Sequence, residues 1–196
     1  MRRHEEAMRL LETAELLYGG DEVRAAVDRM ARDIAAKLRD EFPVVLSVMG
    51  GAAIFTGQLL PQLRFPLEFG AIEVTRYNND IQGRDITWTL APRDNVRDRV
   101  VLVIDDILDE GITLSAIRKR LLEMGARKVL CAVFADKDLG RAKPISADFV
   151  GVRVPNRYVF GFGMDAYGLW RNLPAIYALR QKADTDESRL KIKNEE

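Results

Sequence analysis

The chain has 196 residues, 47% of them hydrophobic and 31% charged, which suits one globular domain with a sizeable core. Thirty basic residues balance thirty acidic ones, so overall charge recommends neither nucleic acid nor a membrane surface as partner, and any polyanion site must be local. The start, Met1-Arg-Arg-His-Glu-Glu6, has no apolar signal core and no stretch approaches the roughly 18 apolar residues of a membrane span, so the cytoplasm is the expected location.

In chain order, residues 2–17 read as a short amphipathic helix. Val23, Val27, Met30, Ile34 and Leu38 then form one apolar stripe on a second helix, opened by Asp21 after Gly19-Gly20. Phe42-Pro43 stops that pattern before the apolar run Val44-Val-Leu-Ser-Val-Met49, a buried strand. Gly50-Gly51 follows it into a helix over about 52–63, and free N–H groups in such a turn make an anion cradle, although a bare Gly-Gly after a strand is weak evidence alone. Further strands are expected over residues 71–76, 85–90, 100–104, 128–135, 148–152 and 158–163, with a helix over 113–124. Between the second and third strands, Thr75-Arg-Tyr-Asn-Asn-Asp80 and Gly83 read as a polar hairpin tip. Cys131, the one cysteine, lies inside the apolar run Val129-Leu-Cys-Ala-Val-Phe134 and reads as a small buried side chain, not a nucleophile. Residues 1–180 are taken as one domain, and 181–196 as a mixed-charge, solvated tail. Alternating buried strands and helices predict an α/β fold, a mostly parallel twisted sheet flanked by helices on both faces, with ligands at the carboxyl ends of its strands.

The segment that carries chemistry is Val100-Val-Leu-Val-Ile-Asp-Asp-Ile-Leu-Asp-Glu-Gly-Ile-Thr-Leu114, a strand running into two adjacent carboxylates, a third, and a glycine turn into a helix. Backbone N–H groups are unpaired at a helix N-terminus, so a dianionic phosphate can take those of Glu110-Gly111-Ile112-Thr113 together with the Thr113 hydroxyl. Asp105 and Asp106 have the chemistry to accept hydrogen bonds from two sugar hydroxyls or to meet a hard cation. Solvated turn residues and helix caps are the usual explanation for a lone Asp after a strand, but three acids plus Gly-x-Thr at this spacing argue against it.

This segment resembles the signature of the phosphoribosyltransferase family: an apolar strand, two acids, two apolar residues, Asp, a small or acidic residue, Gly, any residue, Thr. The resemblance implies the type I phosphoribosyltransferase fold, with a small hood built from terminal segments. It implies that Asp105 and Asp106 hold the ribose hydroxyls of phosphoribosyl pyrophosphate while Asp109, Glu110, Gly111, Ile112 and Thr113 wrap its 5-phosphate. Ile112 stands where many relatives carry a basic residue. Met49 and Gly50 correspond to the family's pyrophosphate loop, where many relatives have a lysine in place of Met49. Residues 75–87 resemble a flap in which Arg76 and Tyr77 close over the reactants. Asp109 is the candidate for managing the proton on purine N7.

The last third is similar to the hypoxanthine-guanine branch, through Lys137, Asp148-Phe-Val-Gly-Val-Arg-Val-Pro-Asn-Arg-Tyr-Val-Phe-Gly-Phe-Gly-Met-Asp165 and Trp170-Arg-Asn-Leu173. By that resemblance Lys137 donates to the purine 6-oxygen, Tyr158 stacks on the base and the Val159 backbone reads its edge. Arg171 contacts pyrophosphate, and Asp165 joins Asp105 and Asp106 around Mg²⁺. On residue chemistry alone, Lys137 reads as a surface lysine in a polar loop, and Tyr158 equally as a half-buried strand residue. The expected activity is Mg²⁺-dependent conversion of hypoxanthine or guanine to IMP or GMP in purine salvage. Its partners are phosphoribosyl pyrophosphate and 6-oxopurines, and its assembly a homodimer or homotetramer. The rival readings are a nucleotide-sensing regulator without turnover and a xanthine-preferring enzyme. Residues 1–39 carry no expected functional group.

Overall fold

The computed structural model describes residues 2–76 and 86–180. It contains α1 (Arg2–Thr13), β1 (Glu15–Tyr18), α2 (Gly20–Leu38), β2 (Val44–Val48), α3 (Ala53–Leu59), β3 (Glu68–Arg76), β4 (Ile86–Leu90), β5 (Val100–Leu108), α4 (Ile112–Glu123), β6 (Lys128–Lys137), β7 (Phe149–Val154), β8 (Val159–Phe160) and β9 (Ile176–Ala178). Six strands form one sheet in the order β4-β3-β2-β5-β6-β7. All of its pairings are parallel except that of β4 with β3, which the hairpin connection dictates. None of the described helices is long and apolar enough to cross a membrane.

Side-chain alternation on the central strands divides the core in two. Leu102 and Ile104 of β5, with Leu130, Ala132 and Phe134 of β6, face α2 and α3. Val101 and Val103, with Val129, Cys131 and Val133, face Leu114, Ile117 and Leu121 of α4. A strand buried on both faces has no polar side to spare, which is why these segments read as continuous apolar runs. The stripe of α2 is the one expected: Val23, Val27, Met30, Ile34 and Leu38 are each at most 1% exposed. Cys131 is fully buried, and burial, with the nearby Asp148 carboxylate, pushes its thiol up to about 12.

A second, three-stranded sheet, β1-β9-β8, is antiparallel and joins the two ends of the described chain as a hood. It corrects the helix expected over residues 2–17. That helix ends at Thr13, and Glu15-Leu-Leu-Tyr18 is a strand because its partner is Ile176–Ala178, a pairing no local periodicity announces.

Three expected boundaries also move. β5 does not stop before the acids but continues through them, Asp105 pairing with Val133 and Ile107 with Ala135. β6 likewise runs on to Lys137. The strand expected over residues 158–163 is only Val159–Phe160, because Gly161, Phe162 and Gly163 all have positive φ and turn the chain back on itself. Phe162 tolerates that backbone because its ring is fully buried against Phe134, centroid to centroid 4.4 Å, and Phe55, 6.4 Å.

Candidate active site

β2, β5 and β6 are parallel neighbours, so their carboxyl ends lie side by side and deliver three segments to one place. β2 delivers Met49-Gly50-Gly51, β5 the acids and β6 Lys137. A cleft of about 490 Å³ is lined by Met49, Gly50, Gly51, the run from Asp105 to Leu114, Asp165 and Arg171. The Met49–Gly50 peptide is cis, and the Met49 N–H donates to the Ile72 carbonyl over 2.8 Å.

Two glycines let these segments meet. A Cβ on Gly51 would lie 1.8 Å from Asp106 Oδ2, and one on Gly163, at φ +102°, would lie 2.1 Å from the Gly51 carbonyl oxygen. No other residue fits either place without moving the acid or the loop. The Gly163–Arg171 hairpin therefore packs backbone to backbone against the loop after β2.

The acid pair is poised against its own charge. Asp105 Oδ1 accepts from the Asp106 N–H at 3.0 Å, and Asp106 Oδ1 accepts from the Ile107 N–H at 2.8 Å. Burial, followed by the neighbouring Asp106 charge, holds the Asp105 carboxyl well above its ordinary range. Burial raises Asp106 as well, against the opposing pull of its hydrogen bonds and of Arg171. Among the described residues, Arg171 is the one cation lining this cleft: a terminal nitrogen is 2.6 Å from Asp165 Oδ1, the other donates to the Gly163 carbonyl at 2.6 Å and stands 3.9 Å from Asp106 Oδ2.

The turn into α4 leaves its backbone donors open. Gly111 caps α4 at φ +80° with no side-chain cap, and the first backbone bond of the helix comes from Ser115, so the N–H groups of Ile112, Thr113 and Leu114 have no helical acceptor. They share the cleft with the positive end of a 12-residue helix, a ready anion site. Glu110, also in the cleft lining, pairs with Arg141 at 3.2 Å.

Beside this cleft is a recess of about 220 Å³ lined by Asp106, Ile107, Asp109, Lys137, Tyr158, Val159, Met164 and Asp165. Lys137 Nζ is 2.6 Å from Asp109 Oδ2, with the lysine side chain 11% exposed and the aspartate 49%. Tyr158 is half open, and its ring stacks on Tyr167 with centroids 5.6 Å apart and planes 20° from parallel. The cleft with the helix terminus and the acid pair, and the recess with the Lys137 ammonium, thus share Asp106, Ile107, Asp109 and Asp165 as a common wall.

A family model described as phosphoribosyl transferase domain matches residues 15–167. The chain belongs to the phosphoribosyltransferase family. It is 30% identical over 171 residues to a hypoxanthine-guanine-xanthine phosphoribosyltransferase of Tritrichomonas foetus, covering 87% of this chain and 93% of that protein. A hypoxanthine-guanine phosphoribosyltransferase of Bacillus subtilis is also 30% identical, over 167 residues, covering 85% and 93%. Among solved structures, a hypoxanthine phosphoribosyltransferase of Trypanosoma cruzi in complex with the product IMP superimposes with a TM-score of 0.79 at 29% identity, covering 88% of this chain and 97% of that one. A Staphylococcus aureus hypoxanthine phosphoribosyltransferase, at TM-score 0.79 and 24% identity over 85% of this chain and 91% of that one, shares the fold.

For this phosphoribosyltransferase the residues singled out in the sequence divide into two groups. Met49, Gly50, Asp105, Asp106, Asp109, Glu110, Gly111, Ile112, Thr113, Asp165 and Arg171 line the larger cleft, and Asp109, Lys137, Tyr158, Val159 and Asp165 line the recess. Of the flap pair, Arg76 ends β3 but its side chain, like the whole of Tyr77, lies outside the described residues, as does the tail over 181–196. Among the described residues, no three His, Cys, Asp or Glu side chains converge as a ready-made metal cage. Sequence reading missed Gly163 and Tyr167. The alternation Gly161-x-Gly163 inside an expected strand was the available signal for the first, since glycine in a strand marks close backbone approach. It also missed a link to the first residues: Trp170 Nε1 donates to the Ala7 carbonyl at 3.0 Å, which ties α1 to the residue beside Arg171.

Proposed function

We propose that this phosphoribosyltransferase moves the 5-phosphoribosyl group of phosphoribosyl pyrophosphate onto N9 of hypoxanthine or guanine, giving IMP or GMP and pyrophosphate in purine salvage. The observation that carries the reading is Lys137, nearly buried in a recess walled by Tyr158 and next to the helix-terminal anion site. Its ammonium donates to an oxygen on purine C6 and gains nothing from a 6-amino group, which offers hydrogens of its own; binding adenine would leave a desolvated cation unpaired. Lys137 is paired with Asp109 when no base is bound, so an arriving 6-oxopurine exchanges that carboxylate for its own oxygen. The exchange leaves Asp109 free to hold the proton at purine N7.

The donor is anchored by the N–H groups of Ile112 and Thr113 and the Thr113 hydroxyl at its 5-phosphate, a contact remote from the reacting carbon whose binding energy serves orientation. Asp105 and Asp106 accept the ribose hydroxyls, and neutralising their mutual repulsion favours binding of a partner that donates hydrogen bonds or carries positive charge. Asp105 and Asp106, with Asp165 nearby, have the hard oxygen ligands that would hold Mg²⁺, and the ion would supply positive charge for the departing pyrophosphate. Arg171 exchanges Asp165 for that leaving group. Residues 1–180 act as one catalytic domain, assembled as a homodimer or homotetramer. A polyanionic donor that does not cross a bilayer suits an enzyme working in the cytoplasm.

The test is product formation from phosphoribosyl pyrophosphate with hypoxanthine, guanine, xanthine and adenine offered separately, each with and without chelator. Chelator-sensitive conversion of hypoxanthine or guanine, with adenine inert, is expected. Turnover of adenine would remove the role given to Lys137, and donor binding with no turnover of any base would favour the sensing regulator.

A further inference from the structure

Tyr167 is a residue with no local reason to be tyrosine. It occupies the first central position of a two-residue turn closed by Ala166 N–H to the Leu169 carbonyl at 2.9 Å and Leu169 N–H to the Ala166 carbonyl at 3.0 Å. Both central residues have positive φ, Tyr167 at +56° and Gly168 at +80°, which is the backbone of a type I′ turn. That first position favours Asn, Asp or Gly; an aromatic side chain there is held in a sparsely populated conformation. Burial does not explain it either, because Tyr167 is 68% exposed, above any other large hydrophobic side chain among the described residues.

What the ring does touch is the ring of Tyr158, in the near-parallel stack described above. Tyr158 lines the recess and Tyr167 does not, so Tyr167 meets the recess only through the Tyr158 ring on which it is stacked. The turn that carries Tyr167 is in turn fixed to the rest of the site: the Gly168 N–H donates to Asp165 Oδ2 at 2.7 Å, and Asp165 Oδ1 holds Arg171.

We propose that Tyr167 is a positioning residue for the nucleobase: it backs Tyr158 and holds that ring flat against the purine, so that its effect falls on the base and not on the phosphoribosyl donor. The inference rests on the purine reading of the recess. A stacked aromatic pair contributes about 0.5–1.5 kcal/mol, so removing the outer ring weakens base binding roughly 2- to 10-fold by releasing Tyr158 to other rotamers.

The experiment compares wild type, Tyr167→Asn, Tyr167→Phe and Tyr167→Ala in steady-state turnover, varying purine and donor in turn, alongside thermal unfolding and calorimetric titration with GMP. Tyr167→Asn is the informative variant because Asn suits the turn backbone better than Tyr. The expected result is a KM for the purine raised about 2- to 10-fold with the donor KM and kcat within about twofold of wild type, weaker GMP binding, and a Tm no lower than wild type. Tyr167→Phe should restore wild-type values, and Tyr167→Ala should match Asn in KM. An unchanged purine KM and GMP affinity in Tyr167→Asn, or equal rises in both KM values, would overturn the inference while leaving the proposed reaction standing. A wild-type protein that neither turns over a purine nor binds GMP would instead sink the purine reading and this inference with it.

Discussion

The two halves of the site are built on opposite plans. The half assigned to the donor is built mainly on one segment, Asp105 to Thr113, set by a strand end, a glycine cap and a helix terminus, with the Met49-Gly50-Gly51 loop beside it. The base half is gathered from Lys137, Tyr158, Val159 and Asp165 on separate elements, and its charged groups are engaged with one another: Lys137 with Asp109, Asp165 with Arg171. Phosphate can be met by backbone, which needs no rearrangement, whereas a base must displace an ion pair to enter. On the proposed assignment, affinity on the donor side would come from preorganisation, and selectivity on the base side from an exchange of partners.

Breaking the contact between the two halves should have the largest effect. In Gly163→Ala a methyl must fit where it meets the Gly51 carbonyl at 2.1 Å, at a φ that favours glycine. Displacing the hairpin by even about 1 Å should lower kcat/KM on the order of 10²-fold or more for both substrates, with circular dichroism unchanged in shape. Equal activity in this variant would mean that the two halves do not depend on each other.

Within the junction, Asp109→Asn sharpens the comparison. The variant keeps the size of the residue and the donor cradle but removes the charge that holds Lys137 and the group assigned to purine N7. A fall in kcat of roughly 10²-fold with the donor KM unchanged is expected in pre-steady-state and steady-state turnover. An undiminished chemical step would remove the proton-handling role.

The smallest effect is on stability and has the opposite sign. Asp105 has its carboxyl raised in the folded protein above the ordinary 3.8, so the folded state holds a proton more tightly than the unfolded one. Wild-type stability should therefore fall as pH rises from about that ordinary value through the raised one. Asp105→Asn should flatten this slope and raise Tm at pH 7 by about 2–4 °C for each kcal/mol relieved, while weakening donor binding. A lower Tm at neutral pH would show that the acid pair is not in conflict with the fold.

The donor half was legible in the sequence because its chemistry is local. Asp105, Asp106, Asp109, Gly111 and Thr113 are within one strand-turn-helix, and the structure differs only in carrying β5 through the acids to Leu108. The central sheet was legible for the same reason: strands buried on both faces are apolar throughout. What escaped was whatever depends on distant pairing. β1 and β9 are too short to announce themselves and exist through each other, and Tyr167 gains meaning only when the hairpin sets it on Tyr158. Lys137 and Tyr158 were assigned through family resemblance, since alone they read as a surface lysine and a strand aromatic.

The backbone contact of Gly163 with Gly51 also dictates a calendar for synthesis. The ribosome releases β2, β5, β6 and β7 in order, so the scaffold and the phosphate turn are available once Val154 has emerged. The pocket is not, because its last wall, its arginine and the partner strand of β1 are all encoded after that point. A chain truncated before Arg171 would encode every strand of the central sheet and the glycine turn into α4 yet lack the arginine of the cleft. The sheet is complete only once Val154 is made, and the hood that finishes the site waits for Ala178, so both are products of the last stretch of translation.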